Sequence, residues 1–483
     1  MDFISRYVWY LVHILTLTFT TILIKHTWEK FMDNPTVTTL DSFSYDLKEV
    51  PMPGISVCNV NKISKSRAQK YARELSGKSG EPVEEIFNNI SLLGRLYEYS
   101  LPTSSSDSPI NFQNFLDKYD SGIEGFFNTY KVLKEISTPC SELLTKCQWQ
   151  EEDIECHELF VSELTAEGHC CVFNYLFQKN EDNIPEIIKS NDYQAMKFGM
   201  YGHLTFIVTA NISDFYYTTL NTEASAKIMV SLPTDYPDTT SGSLTEELIG
   251  VGTETFLRVS SVTTISTPEV KKYPIEKRDC IFRDELSTVF GDYSYSDCIM
   301  DCKIRSIEAM CGCIPFNYMS IFRGKFCDQC TLADLPCLNR HAIKWKMMYP
   351  VDYHGNVLER EKQNSILCRK CYPACMDTLY GISSDSIDIL DNGTQVRNFS
   401  VVHVLMEKPV GSLNKQDVYF YWYDIIGLFG GICSLTMGLN FISLLEMIYF
   451  FLCIFEKKNI EKNRRHQNVE PFEEVREMSQ EAE

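Results

Sequence analysis

Between Asp424 and Phe450 the sequence reads DIIGLFGGICSLTMGLNFISLLEMIYF. Gly427, Gly431, Ser434 and Gly438 recur at intervals of four, three and four. On a helix they form one stripe of small side chains, which lets backbones approach closely. Helix packing alone would account for such a stripe. The same residues also suit a pore lining. An ion crossing a bilayer needs oxygen ligands in place of its hydration, and a glycine break exposes backbone carbonyls that supply them. Asn440 adds a side-chain amide just after Gly438, and Glu446 adds a carboxylate. A charge near a span centre costs about 2.5–3.5 kcal/mol on insertion scales. Glu446 therefore faces water or a partner, or lies near an interface. Copies from several subunits would make a carboxylate ring, which favours cations.

These residues belong to an apolar segment, Val418–Phe455, in which Asp424 and Glu446 carry the only charges. It exceeds the roughly 20 residues that a straight span needs, so it must tilt, project beyond the bilayer or break. Lys457, Lys458, Lys462, Arg464 and Arg465 follow it and mark the cytoplasmic side. An earlier apolar segment, Tyr7–Ile24, carries no formal charge, is interrupted only by His13 and is flanked by Arg6 and Lys25. Its length, its aromatic residues and the lack of a small-x-small cleavage site favour a retained span over a signal peptide. His13 reads as a packing or interfacial residue. The expected organisation is a cytoplasmic N-terminus (1–6), a first transmembrane helix (7–24), an extracellular cysteine-rich domain (25–417), a second, pore-lining segment (418–455) and a cytoplasmic tail (456–483). The protein would then be a two-span protein of the plasma membrane with both termini cytoplasmic.

Two features place the middle outside the cell. Seventeen of the 19 cysteines fall between Cys58 and Cys375, which fits an oxidising compartment. The N-x-S/T sequons at Asn89, Asn211, Asn392 and Asn398 fall there too. A zinc domain is disfavoured because no His pairs match the cysteine spacing, and no metal or cofactor site is expected. Seventeen is odd, so at least one thiol there is unpaired or pairs between chains. Eleven cysteines crowd into 280–375, which implies a rigid, ladder-like element or a purely stabilising scaffold. With 65 acidic against 45 basic residues the net charge is −20, which argues against a nucleic-acid partner. Residues 64–76, 83–99 and 296–312 have helical spacing, while 202–210 and 225–232 read as strands. The short polar stretches Thr103–Ser108 and Thr239–Ser243 read as loops. The fold class expected is a membrane protein with an α+β ectodomain, its strand core and helices stapled by disulfides. Nothing resembles a nucleophile–base pair, a metal motif or a phosphate loop, so an enzyme is not expected.

The chain resembles the degenerin/epithelial sodium channel family, and within it the arthropod pickpocket-type branch. The resemblance runs over nearly the whole chain. Pro53, Cys58, Asn59 and Asn61 match the family's FPAVTICNxN block, and Gly168, Cys170, Phe173 and Asn174 match GxCyxFN. Arg278, Asp279, Cys280, Asp284 and Glu285 match RxCxxxDE. Tyr293, Ser294, Cys298, Cys302, Cys311, Gly312, Cys313, Pro315 and Phe316 match YSxxxCxxxC…CgCxPf. Cys371, Pro373, Ala374 and Cys375 match CxPaC. Gly430, Gly431, Leu435, Gly438, Ser443, Leu444 and Glu446 match GGxxGLxxGxSxxSLxE, with Ser434 in place of its third glycine.

The resemblance implies a trimer of two-span subunits, homomeric or with same-family partners, each with a hand-shaped ectodomain. It implies a sodium-selective, amiloride-sensitive, voltage-independent pore in membrane lipid, with sodium as the permeant ion and an unidentified stimulus or extracellular ligand. The selectivity filter would be Gly438, Leu439 and Asn440. Gly427, Gly430, Gly431, Ser434 and Glu446 would line or gate the pore, and enlarging Gly427 would hold it open. The resemblance also implies disulfides Cys58–Cys170, Cys147–Cys156, Cys280–Cys375, Cys298–Cys371, Cys302–Cys368 and Cys311–Cys337. Cys313 would take Cys327 or Cys330, and Cys140 and Cys171 could then pair. Three features depart from the family. Its filter is usually Gly-x-Ser, its His-Gly gating motif does not occur in residues 1–6, and two residues instead of one separate Cys368 from Cys371. Two other readings are a non-conducting or modulatory subunit of such a channel and a two-span scavenger-type lipid receptor.

Overall fold

The computed structural model describes residues 2–102, 108–121, 127–176, 204–220, 224–288, 291–322, 328–348, 363–389 and 398–467. Cys327 and Asn392, and most of the Thr103–Ser108 loop, lie outside them. The chain forms two compact units. A small one comprises Met1–Val37 and Val418–Glu483, and a large one comprises Thr38–Asp417.

The large unit is α+β. Strand Phe399–Met406 alternates, with Ser400, Val402, Val404 and Met406 buried and the residues between them half-exposed, as one packed sheet face requires. It belongs to an eight-stranded sheet. At the sheet's centre the long strand Thr253–Ser266 runs antiparallel to Asp377–Asp388 along one edge. Along the other edge it runs parallel to Phe399–Met406 at its start and to Val410–Val418 at its end. Strand Gly54–Asn59 reads GISVCN and is buried on both faces. It is the middle strand of a second, five-stranded sheet, between Ala224–Ser231 and Gly168–Phe173. Ile55, Val57, Phe173 and Ile228 of this sheet share one core with Phe206, Val259 and Val404 of the larger one.

Two helical layers complete the unit. Helix Lys65–Ser79 starts where the Ser64 hydroxyl accepts from Arg67 N–H and ends at Gly80, whose φ of +80° favours glycine. It packs with Val83–Gly94, Ser108–Tyr119 and Thr129–Ile136 around Leu75, Ile90 and Leu116. Tyr295–Cys311 and Leu335–Lys346 surround Ile304, Leu338 and Trp345. The strand expected at 202–210 runs over Leu204–Thr209, with 202 and 203 outside the described residues. The helical pattern over 83–99 stops being α-helix at Gly94.

Disulfides join Cys58 to Cys170, Cys140 to Cys171, Cys147 to Cys156, Cys280 to Cys375, Cys298 to Cys371, Cys302 to Cys368, Cys311 to Cys337 and Cys313 to Cys330. Two successive turns of helix Tyr295–Cys311 thus reach Cys371 and Cys368 in reversed order, as two rungs of a ladder. Asn211 and Asn398 are exposed and Asn89 is half-buried on helix Val83–Gly94. The Ser213 hydroxyl donates to Asn211 Oδ1 within that sequon.

In the small unit, helix Asp2–Asp33 contains the whole Tyr7–Ile24 segment and is long and apolar enough to cross a membrane. The later apolar segment is two helices, Trp422–Met437 and Phe441–Gln467, which meet at a bend of 80°. Of the three ways of accommodating its length, the chain takes the break.

Candidate functional site: a broken apolar helix

The break occupies Gly438, Leu439 and Asn440, and each side of it has a local cause. Gly438 adopts φ +67°, and its N–H donates to Ser434 O. This left-handed residue ends the helix. The last carbonyls of the Trp422–Met437 helix then have no amide one turn ahead to receive. Asn440 starts the next helix. Its Oδ1 accepts from Ser443 N at 2.9 Å and Ser443 Oγ at 3.1 Å, and its backbone O accepts from Leu444 N. Asparagine is among the strongest helix starters for this reason. The carbonyl end of one half-helix and the amide end of the other therefore meet within three residues. That places concentrated partial charge of both signs in a segment whose neighbours are apolar.

Asp424 is also accounted for locally. Its Oδ2 accepts from Tyr421 N at 3.0 Å in a capping box at the start of the first half-helix. Glu446 is exposed on the second half-helix.

The first helix packs on one face only. Trp28 lies against Phe429 with centroids 6.3 Å apart, Phe31 lies against Phe420, and Tyr419 N donates to Pro35 O. Thr20 Oγ is 2.7 Å from Thr436 Oγ. At 3.6 residues per turn, the Phe429–Thr436 face is opposite the Gly427–Gly431–Ser434–Gly438 stripe. A Cβ built at Gly427, Gly430, Gly431 or Gly438 meets nothing within 4 Å. Within the described residues the stripe is therefore uncovered. Cys433 and Cys453 are free, both in the half-helices.

The large unit holds charged groups that sequence alone did not single out. Asp235, Asp297 and Asp377 are drawn from three segments. Burial, reinforced by the Asp235 charge, pushes the Asp297 carboxyl up to about 8 and the Asp377 carboxyl up to about 6. Burial also raises Asp235, opposed by the hydroxyls of Ser296, Ser294 and Ser243. Nearby, Lys303 Nζ donates to Asp238 Oδ2 at 2.8 Å and Tyr318 Oη to the same oxygen at 2.9 Å. Burial alone would lift the Asp238 carboxyl, but Lys303 and Thr240 outweigh it and hold it low. The only sequence signal for these groups is their position beside cysteines and turn residues, which carries no chemistry by itself. A groove of about 490 Å³ lies between helices Val83–Gly94 and Ser108–Tyr119, lined by Glu81, Glu85, Ile86, Asn89 and Phe112.

A chain that carries both a broken apolar helix pair and a disulfide-rich α+β unit points to a class of membrane protein. Residues 1–450 match the family described as Amiloride-sensitive sodium channel, and the chain belongs to that family, which comprises ion channels and not enzymes. It is similar to sodium channel protein Nach of Drosophila virilis, with 26% identity covering 68% of this chain and 81% of that one. It is similar to pickpocket protein 28 of Drosophila melanogaster at 19% identity, covering 92% of this chain and 73% of that one. A solved proton-activated chloride channel aligns at 8% identity and a TM-score of 0.31, over 92% of this chain and 98% of that one, too distant to carry an argument. Family membership sets aside the scavenger-type lipid receptor.

Proposed function

We propose that the chain is a pore-forming subunit of a sodium-selective, amiloride-sensitive, voltage-independent cation channel of the plasma membrane, opened by a ligand or other stimulus acting on the large unit. In this reading residues 7–24 of helix Asp2–Asp33 and residues 418–455, with the broken pair of half-helices, are the membrane spans, both termini are cytoplasmic, and residues 25–417 are extracellular and glycosylated. Three such subunits, identical or from the same family, surround the ion path. Gly438, Leu439 and Asn440 form the filter. Gly427, Gly430, Gly431 and Ser434 face the axis, and Glu446 lies along the exit.

The observation that supports this most directly is the break at Gly438–Asn440. It releases helix-end carbonyls at mid-segment, at Gly438, the last residue of the uncovered small-residue stripe. Backbone away from regular helix is tolerated at membrane depth only where it is buried in protein or lines water.

The test is two-electrode voltage clamp on cells expressing the Gly427→Phe variant, with sodium exchanged for potassium and for a large cation. A Cβ at Gly427 meets nothing within 4 Å in its own chain, so in this reading the substitution acts towards the ion path and the neighbouring subunits. A sodium-dependent current blocked by amiloride is expected. No current from surface-expressed protein, alone or co-expressed with related subunits, overturns the reading. A non-conducting, modulatory subunit is the second reading, and one observation favours it. Asn440 Oδ1 is already engaged by Ser443, which leaves the filter with fewer free side-chain oxygens. Current that appears only on co-expression, with a reversal potential indifferent to Asn440, would support it.

A further inference from the structure

Helix Asp2–Asp33 is exposed almost throughout, as a helix made for lipid should be, but Thr20 is 3% exposed. From Ser5 to Lys30 it is the one buried side chain. Its hydroxyl lies 2.7 Å from Thr16 O and 2.7 Å from Thr436 Oγ. The Thr436 hydroxyl lies 2.7 Å from Ile432 O. Each hydroxyl has one proton to donate, so two protons serve three contacts and one contact is always unmade. The pair has three arrangements. Thr20 donates to Thr436 while Thr436 donates back to Ile432 O. Alternatively Thr436 donates to Thr20 while Thr20 donates to Thr16 O. In the third, both donate back within their own helices and no proton bridges the helices. Each carbonyl that loses a hydroxyl keeps its helical amide, so the two bridged arrangements lie close in energy, while the third leaves two oxygens 2.7 Å apart without a proton between them and favours separation of the helices. Back-bonding by threonine also bends a helix locally.

Thr436 is two residues before Gly438, among the last carbonyls of the half-helix that the break leaves open. Its hydroxyl state therefore bears on the backbone that presents those carbonyls. We propose that Thr20 is a positioning residue: by sharing hydroxyl protons with Thr436 it sets the placement of the carbonyls at the Gly438 break and hence the ion selectivity of the pore. This rests on the reading of the break as the filter. Thr20 itself touches no ion.

The experiment uses the full chain carrying Gly427→Phe, with Thr20→Val, Thr20→Ser, Thr436→Val and the Thr20→Val/Thr436→Val pair. Surface biotinylation checks expression, and the readout is the sodium-to-potassium permeability ratio from reversal potentials. Thr20→Val keeps the shape and removes the hydroxyl, and should lower the ratio roughly two- to threefold, the scale of one interhelical hydrogen bond in a membrane. Thr20→Ser should restore it, and the double variant should be no worse than the worse single. If Thr20→Val does not reach the surface, Thr436→Val carries the same prediction. An unchanged ratio in a conducting valine variant overturns this proposal and leaves the filter reading standing. Equal losses in Thr20→Ser and Thr20→Val overturn it as well, since methyl packing and not the hydroxyl would be responsible. Absence of current in every variant and in the Gly427→Phe background defeats the filter reading, and this proposal with it.

Discussion

The two units of this chain are held by opposite means. In the large unit, the described cysteines are cross-linked and some lysines are buried against carboxylates. Eight disulfides cross it, Lys303 and Asp238 are both nearly inaccessible, and Lys62 is buried against Glu167. In the small unit, Leu435, Phe441 and their neighbours are exposed, and the helices meet through tilted aromatic pairs and one hydroxyl pair. A buried charge tolerates almost no rearrangement, because separating it from its partner is expensive. An apolar helix in lipid loses little by sliding or rotating. The first unit is built to keep its shape, and the second is built to change it at small cost.

The largest expected effect comes from breaking what holds the large unit. Removing the Cys280–Cys375 disulfide, which closes a loop of 95 residues, should cost on the order of 4 kcal/mol. Most of the Cys280→Ala/Cys375→Ala chain should then be retained inside the cell, as measured by surface biotinylation. Near-normal surface levels would show that the two-sheet core carries this unit without its cross-links.

The buried ion pair comes next. Lys303→Met leaves the Asp238 carboxylate without its cation and should destabilise by about 3–5 kcal/mol. Adding Asp238→Asn should recover much of that loss, because the stranded charge is gone. Thermal unfolding of the purified chain in detergent decides it. A double variant as unstable as the single would mean that shape, and not charge, dominates the site.

Asp297 sharpens the comparison through pH. Its folded-state value of about 8 is above the ordinary 3.9 or so of an unfolded aspartate. The folded chain therefore favours the protonated form. That contribution is fully present below about pH 4 and is lost as pH rises towards 8, by up to about 1.4 kcal/mol per pH unit. Asp297→Asn cannot ionise, so its advantage over the native chain should grow from pH 4 to 8 and then level off. An advantage that is the same at pH 5 and pH 8 would show that Asp297 is already ionised and compensated.

Legibility in the sequence divides along the same line. The apolar segments, the glycine at the break and the short β-branched strand at Leu204–Thr209 are local properties of the sequence and were readable directly. The disulfide partners came through the resemblance, since Cys298 and Cys371 are 73 residues apart and nothing local joins them. Asp235, Asp297 and Asp377 were not readable, because a carboxylate is unusual only once three distant segments have buried it. Thr20 was invisible for a related reason. A threonine in an apolar helix is commonplace until a second helix seals it.

Asn440 yields the smallest effect on the fold and the most discriminating one on function. Its side chain starts the second half-helix, and Ser, Asn and Asp are near-equivalent in that role. Asn440→Ser should therefore change stability by a few tenths of a kcal/mol, whereas Asn440→Ala should cost about 1 kcal/mol. The shorter serine side chain also withdraws bulk from the break. If the break is the filter, Asn440→Ser shifts the reversal potential towards that of sodium while surface expression and melting temperature stay put. Because the helix start is preserved, such a shift reports on the ion path alone. Expression unchanged and reversal potential unchanged would place Asn440 outside the filter. The small unit would then be a helix-capping hinge whose permeation site is elsewhere.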